Sequence, residues 1–198
     1  MKCTEVINQI KRVLQENQIL VCCNGNISRI VYNTIPAPQL YLRGSMGLPM
    51  AVGLGIALSQ PSKTVVVLTG DGNFLMGLSS IATIAHVSPP NLKIIILDNE
   101  CYETTGGQET VSKSIRFDDM LKGIGIKSVE SMNTLRTQDN TEELLAQTIR
   151  EPGPRVLHIK IEREKVDLPN IPFHPVEINS NFRKQHQTTQ EGLDPDWR

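Results

Sequence analysis

Short apolar runs alternate with stretches of helical spacing along most of this chain. Ile19 to Cys23, Thr64 to Thr69, Leu92 to Leu97 and Arg155 to Ile161 are brief and rich in Val, Ile and Leu, which predicts strands. A shorter strand is expected near Lys127 to Val129, and Tyr41-Leu42 closes a small extended piece. Between them lie helical patterns. The first runs from a cap at Thr4 to about Glu16, with Val6, Ile7, Ile10, Val13 and Leu14 on one face. Others cover Ser28 to Asn33, Leu48 to Leu58, Leu75 to His86, Phe117 to Lys122 and Thr141 to Arg150, and Pro89-Pro90 stops the fourth. Strands alternating with helices predict an α/β domain, a doubly wound, mostly parallel sheet with helices on both faces.

Three stretches depart from this rhythm. The Leu48–Leu58 helix carries Ala51, Gly53, Gly55 and Ala57; glycine is costly inside a helix, so close packing on a neighbouring element is expected there. Residues 100–115 show no periodicity and hold Thr104-Thr105-Gly106-Gly107-Gln108, the mark of a long functional loop. Beyond about Lys165 the chain is polar and punctuated by proline. The expected division is one domain over residues 1–178 and a polar, flexible tail over 179–198, its last dozen residues disordered. No internal repeat is present.

Length and composition narrow the function. A chain of 198 residues fits one domain with a substantial core. Its 20 basic and 21 acidic residues, net charge −1, leave no basic face, so a nucleic-acid partner is not expected. No apolar run approaches a membrane span, and Met1 to Ile10 lacks a signal-peptide core. Cys3, Cys22, Cys23 and Cys101 form no CxxC pair, so neither zinc nor a disulfide framework is indicated, and a reduced, cytoplasmic protein is the expectation.

The chemistry concentrates at strand ends. The strand ending at Thr69 runs into Gly70-Asp71-Gly72-Asn73, and the strand ending at Leu97 runs into Asp98-Asn99-Glu100-Cys101. Asp71 and Asn99 stand 28 positions apart (99 − 71), about one βαβ unit, so parallel strands would deliver a carboxylate and a carboxamide to one sheet edge. These are hard oxygen ligands suited to Mg²⁺ or Ca²⁺, and the flanking glycines would let backbone N–H groups approach a phosphate. Asn24 and Gly44 also fall at or near strand ends, where open α/β sheets bind ligands. Plainer readings stand beside these. Asp71 alone suits a helix N-cap, Gly44 to Gly47 an ordinary turn, and Met46 plain core. Glu103 is a candidate acid or substrate contact, or equally a solvated loop carboxylate. Arg29 reads as a helix-surface residue that a substrate anion could attract, and His158, His174 and His186 as structural or exposed.

Taken in order, several blocks resemble the diphosphate-binding domain of thiamine diphosphate enzymes. They are Gly44-Ser45-Met46-Gly47, Val67-Leu68-Thr69-Gly70-Asp71-Gly72, Leu78 to Ile84, Pro90-Asn91-Leu92, Asp98-Asn99 and Thr105-Gly106-Gly107-Gln108. The resemblance covers roughly residues 19–182 and extends to the family's decarboxylases of sulfopyruvate and phosphonopyruvate. One departure stands out: the family's asparagine pair is Asp98-Asn99 here.

The resemblance implies that Asp71, the side chain of Asn99 and the carbonyl of Cys101 bind Mg²⁺. It implies that Gly70, Gly72 and Asn73, with Asn24 and Gly25, lie against the diphosphate of thiamine diphosphate. Gly44, Ser45 and Met46 would hold the aminopyrimidine, Met46 as the apolar wedge that bends the cofactor. The family's activating glutamate lies on a separate pyrimidine-binding domain, and about 18 residues precede the first strand here. The expectation is therefore the beta subunit of a two-component 2-oxoacid decarboxylase acting on a sulfopyruvate- or phosphonopyruvate-like substrate. An alpha-type pyrimidine-binding subunit would supply the glutamate in an α₂β₂ or larger assembly. The alternatives are a subunit of a thiamine diphosphate-dependent carboligase and a non-catalytic cofactor-binding subunit.

Overall fold

The computed structural model describes residues 1–35, 39–135 and 140–186 of the chain. The larger elements, in order, are α1 (Cys3–Val13), β1 (Ile19–Cys22), α2 (Asn26–Thr34), β2 (Leu40–Tyr41), α3 (Pro49–Ser59), β3 (Val65–Gly70), α4 (Asp71–Met76) and α5 (Ser79–Val87). They continue with β4 (Leu92–Asp98), β5 (Cys101–Tyr102), β6 (Gln108–Glu109), α6 (Phe117–Ile124), β7 (Ser128–Asn133), α7 (Thr141–Arg150), β8 (Arg155–Lys160) and α8 (Pro175–His186). Six strands pair in parallel in the order β2-β1-β3-β4-β8-β7, the doubly wound sheet expected from the alternation.

The continuous apolar runs follow from cover on both faces. In β3, Val65 and Val67 pack toward Met50 and Leu54 of α3, Ile81 and Ile84 of α5 and Leu121 of α6. Val66 and Leu68 pack toward Ile7 and Ile10 of α1, Val31 of α2 and Leu145 of α7. Successive side chains thus enter opposite cores, and β4 is buried along its whole length. A Cβ at Gly53 would run into Val67, so this glycine seats α3 on β3; Gly55 faces open space and has no such role.

Strand order positions the site. From β1 the chain steps outward to β2, then returns to place β3 on the other side of β1. The connections reverse direction between β1 and β3, and the crevice at the carboxyl ends of those strands is where such sheets bind ligands.

Several elements depart from the sequence expectation. α1 starts at Cys3, not after a Thr4 cap; Thr4 instead uses its N–H and hydroxyl to bond Glu164 at 3.0 and 2.7 Å. The helix expected from Leu75 is two helices, α4 beginning at Asp71 itself and α5 beginning at Ser79. The loop over residues 100–115 contains the β5–β6 hairpin and two 3-10 turns. β7 extends to Asn133, longer than expected, because this edge strand buries only Val129 and lacks an apolar run. α8 spans residue 178, and its Phe182 and His186 are buried. The disorder expected for the last dozen residues lies outside the described residues.

The break between α4 and α5 falls at a glycine that sterics require. Gly77 ends α4, its N–H bonded to the carbonyls of Asn73 and Phe74 at 3.2 and 3.0 Å. A Cβ there would collide with the carbonyl of Gly47, so two glycine backbones touch at this point. Gly77→Ala is expected to cost about 2–3 kcal/mol, as backbone collisions that force a shift do, measured as the change in urea unfolding free energy.

Candidate functional site

A cavity of about 120 Å³ opens at the β1/β3 crevice, the place where open α/β sheets bind ligands. Its walls bring together Asn24, Gly25, Met46, Gly70, Asp71, Gly72, Asn73, Asn99, Cys101 and Glu103. Gly44 lines an adjoining cavity that shares Asn24, Gly25 and Thr104 with the first. Ser45 is exposed and lines neither.

Asp71 opens α4 immediately beyond β3 and is 1% exposed. Burial, with a smaller push from the charge of Asp98, raises its pKa to about 6, against a hydrogen bond donated by the Thr110 hydroxyl. Burial disfavours the charged form of this carboxylate, and a cation beside it would favour that form again.

Asn99 follows β4, and its side-chain oxygen accepts the N–H of Cys101 at 3.2 Å. A carboxamide oxygen has a second lone pair, so this bond leaves it able to ligate. Between the two, Glu100 holds φ +60, the left-handed region a non-glycine residue enters at a cost of order 1 kcal/mol. Its carboxylate is tied down by Lys160. This turn brings both Asn99 and Cys101 to the cavity wall. Asp71, Asn99 and Cys101 line one cavity, and carboxylate, carboxamide and main-chain carbonyl oxygens are the hard donors that suit a cation such as Mg²⁺. Among the described residues no group of three or more His, Cys, Asp or Glu offers a metal site.

The segment Gly44 to Gly47 turns sharply. Gly44, Ser45 and Gly47 have φ of +105, +54 and +88, which explains the glycines at either end. Asn73 locks this turn to the sheet: its side-chain oxygen accepts the Gly47 N–H at 2.9 Å, and its amide donates to Asn24. One buried carboxamide therefore sets the spacing between the end of β1 and the Met46 turn.

Asp98, the residue that departs from the resembled asparagine pair, does not line the cavity. It is fully buried and accepts hydrogen bonds from His158 Nε2 at 2.8 Å, the Ser112 hydroxyl and the Glu100 N–H at 3.0 Å, with Lys160 Nζ 3.4 Å away. Burial pushes its pKa up, but hydrogen bonds from His158 and Ser112 and attraction to His158 and Lys160 outweigh this and hold it below the usual carboxylate range. His158 stacks on Phe117 at a centroid distance of 4.2 Å, so it is a buried structural residue and not an exposed one.

Glu103 accepts the Cys101 thiol at 2.9 Å. Burial, then this hydrogen bond, pushes that thiol up to about 12, so it acts as a neutral donor that orients Glu103. The neighbouring side chains cover the cavity floor. The Tyr102 ring lies on Gly72, where a Cβ would collide with it, and Thr104 Oγ1 accepts the Asn26 N–H at 3.2 Å.

Sequence reading missed Thr110, Ser112 and Tyr102, and marked Thr104 only as part of a functional loop. All four belong to the aperiodic 100–115 segment, where only the hydroxyl residues beside Gly106-Gly107 hinted at a role. Thr110 is a positioning residue for Asp71, and Ser112 links the two carboxylates through its N–H to Thr110 Oγ1 and its hydroxyl to Asp98. Thr110→Val is expected to weaken Mg²⁺ binding about 10-fold, the lower end for loss of a group supporting a ligand, with Thr110→Ser near wild type. Calorimetric titration with Mg²⁺ in the presence of thiamine diphosphate measures this.

Comparison with known proteins agrees with this geometry. Residues 20–159 match the family described as thiamine pyrophosphate enzyme, C-terminal TPP binding domain. The chain is 37% identical over 182 residues to sulfopyruvate decarboxylase subunit beta of Methanothermobacter thermautotrophicus, covering 91% of this chain and 93% of the relative. It is 34% identical to phosphonopyruvate decarboxylase of Streptomyces viridochromogenes, of which it spans 45%. The fold superposes on a thiamine diphosphate-dependent 4-hydroxybenzoylformate decarboxylase of Rhodococcus jostii with TM-score 0.66 at 18% identity, over 84% of this chain and 33% of that one. A parallel sheet with its ligand cavity at the switch point, read with these matches, places the chain in the family of thiamine pyrophosphate enzymes, as a C-terminal TPP-binding domain.

Proposed function

We propose that this chain is the Mg²⁺- and thiamine diphosphate-binding beta subunit of a two-component 2-oxoacid decarboxylase. One observation carries the reading: buried Asp71 beyond β3 and Asn99 beyond β4 meet in a single cavity at the switch point. Its support is the likeness to a relative named as a beta subunit, matched over 93% of that relative's length. In this reading Asp71, Asn99 and the Cys101 carbonyl hold Mg²⁺. Main-chain groups of Gly70, Gly72 and Asn73, with Asn24 and Gly25, receive the diphosphate, and Gly44 and Met46 seat the pyrimidine, with Ser45 completing their turn. The bound cofactor supplies the electron sink that lets a 2-oxoacid lose carbon dioxide. The chain's own part is to anchor, bend and desolvate it. An alpha-type subunit brings the activating glutamate, and the substrate is an acidic 2-oxoacid of the sulfopyruvate or phosphonopyruvate kind.

Carbon dioxide release tests this with the chain, its candidate partner, thiamine diphosphate, Mg²⁺ and a panel of 2-oxoacids. Release only from the complete mixture, fastest with sulfopyruvate or phosphonopyruvate, is expected. Release by this chain alone, or from no 2-oxoacid at all, would refute the proposal.

A further inference from the structure

Beside the cofactor cavity lies a second one whose walls include Arg29 of α2 and Arg43, which immediately precedes the Gly44 turn. Arg12, Arg116, Arg150, Arg155 and Arg163 each meet a carboxylate. Arg29 and Arg43 meet none among the described residues. Arg29 donates to the Leu168 carbonyl at 3.4 Å and to Asn170 Oδ1 at 2.7 Å, and Arg43 donates to the Phe173 carbonyl at 2.8 Å. These neutral acceptors hold the two guanidinium groups at the cavity while leaving both charges uncompensated and most of their five donors each available.

The backbone adds to the same field. α2 is nine residues long, has no acidic residue in its first turn, and starts beside this cavity, whose wall carries Asn24, Gly25 and Ser28. The positive end of its dipole therefore lies where the two guanidinium charges lie. Asn24, Gly25 and Thr104 are common to both cavities, so a ligand held between the arginines lies next to the bound cofactor.

We propose that Arg29 and Arg43 form the subsite for the tetrahedral oxyanion of the substrate, the sulfonate or phosphonate group borne on the carbon beyond the keto group. This assignment rests on the 2-oxoacid reading above. Planar guanidinium forks match such oxygens in bidentate fashion, and a substrate without the group, such as pyruvate, gains nothing from them. The subsite gives this half of the enzyme a share in substrate choice.

The test uses the chain reconstituted with its partner, saturated with thiamine diphosphate and Mg²⁺, and titrated calorimetrically with 3-sulfopropanoate. This probe keeps the carboxylate and sulfonate but lacks the reactive keto group. Arg29→Gln and Arg43→Gln are each expected to weaken its binding about 10–100-fold, the range for hydrogen bonds to a charged group, with affinity for thiamine diphosphate unchanged. An equal loss for propanoate would put the arginines on the carboxylate and overturn the assignment, as would a loss of thiamine diphosphate affinity, which would put them on the diphosphate. No binding by wild type, or unchanged binding by both variants, also overturns it. Where a variant does not fold, phenylglyoxal labelling of the wild-type complex replaces it: 3-sulfopropanoate must protect Arg29 and Arg43, and labelling without protection is a refutation. If 3-sulfopropanoate binds through these arginines yet no 2-oxoacid is decarboxylated, the function fails while the oxyanion subsite stands.

Discussion

Asp71→Asn is expected to abolish Mg²⁺-dependent anchoring of thiamine diphosphate and, at the same time, to stabilise the cofactor-free chain. The two effects share one cause. A carboxylate 1% exposed, with its pKa pushed up to about 6 by burial, is costly to keep charged unless a cation lies beside it. Stability contributed by a raised acid pKa is fully present below the unfolded value of 3.8 and is lost as pH rises through about 6, so at neutral pH Asp71 weakens the metal-free fold. Asparagine keeps an acceptor for Thr110 and removes the charge. A gain of about 1–3 kcal/mol follows from a shift of this size, read by urea unfolding at pH 7.5 without Mg²⁺ and absent at pH 4. Loss of cofactor affinity should exceed the roughly 10–100-fold that removing a supporting group costs. In the wild type, Mg²⁺ must displace a proton below pH 6, so its affinity should fall about tenfold per pH unit there. A variant equally poor in stability and in binding would mark Asp71 as an ordinary helix cap.

Asp98→Ala should act in the opposite sense, costing about 3–5 kcal/mol because His158, Lys160 and Ser112 would lose their common acceptor inside the protein. The cost also reaches the site, since Asp98 accepts the Glu100 N–H and so supports the left-handed turn that presents Asn99 and Cys101. Asp98→Asn, the family's residue, keeps acceptors for Ser112 and Glu100 but not the charge, and should cost less. The held-down pKa of Asp98 fixes the pH sign: its stabilisation is fully present above the unfolded carboxylate value of 3.8 and is lost as pH falls through the lower folded value. Urea unfolding of both variants at pH 7 and pH 3 measures this. The difference between wild type and Asp98→Ala should be smaller at pH 3 than at pH 7.

The sheet was legible because β1, β3, β4 and β8 are short apolar runs between helical patterns, and burial on both faces leaves that mark. Asp71 and Asn99 were legible because strand ends and glycine punctuation locate them without any knowledge of packing. β7 was only half visible, because one side of an edge strand meets no partner. The Asp98–His158 pair was not visible: its members are 60 positions apart and meet only through the β4–β8 register, which no local pattern encodes. Thr110 and Ser112 reach their carboxylates from an aperiodic segment, where a hydroxyl that orients a ligand looks like any other loop residue. The split of the helix after β3 falls at Gly77, which packs on the carbonyl of Gly47, and that contact belongs to the packed structure.

The central claim is that the ends of β3 and β4 hold the cation that anchors thiamine diphosphate. Crystals of the reconstituted complex grown with thiamine diphosphate and Mn²⁺ in place of Mg²⁺ test it directly through anomalous scattering. The expected result is one strong peak about 2.1 Å from an Asp71 carboxylate oxygen, the Asn99 carboxamide oxygen and the Cys101 carbonyl. A peak elsewhere, or cofactor bound with no cation between its diphosphate and these three residues, would contradict it.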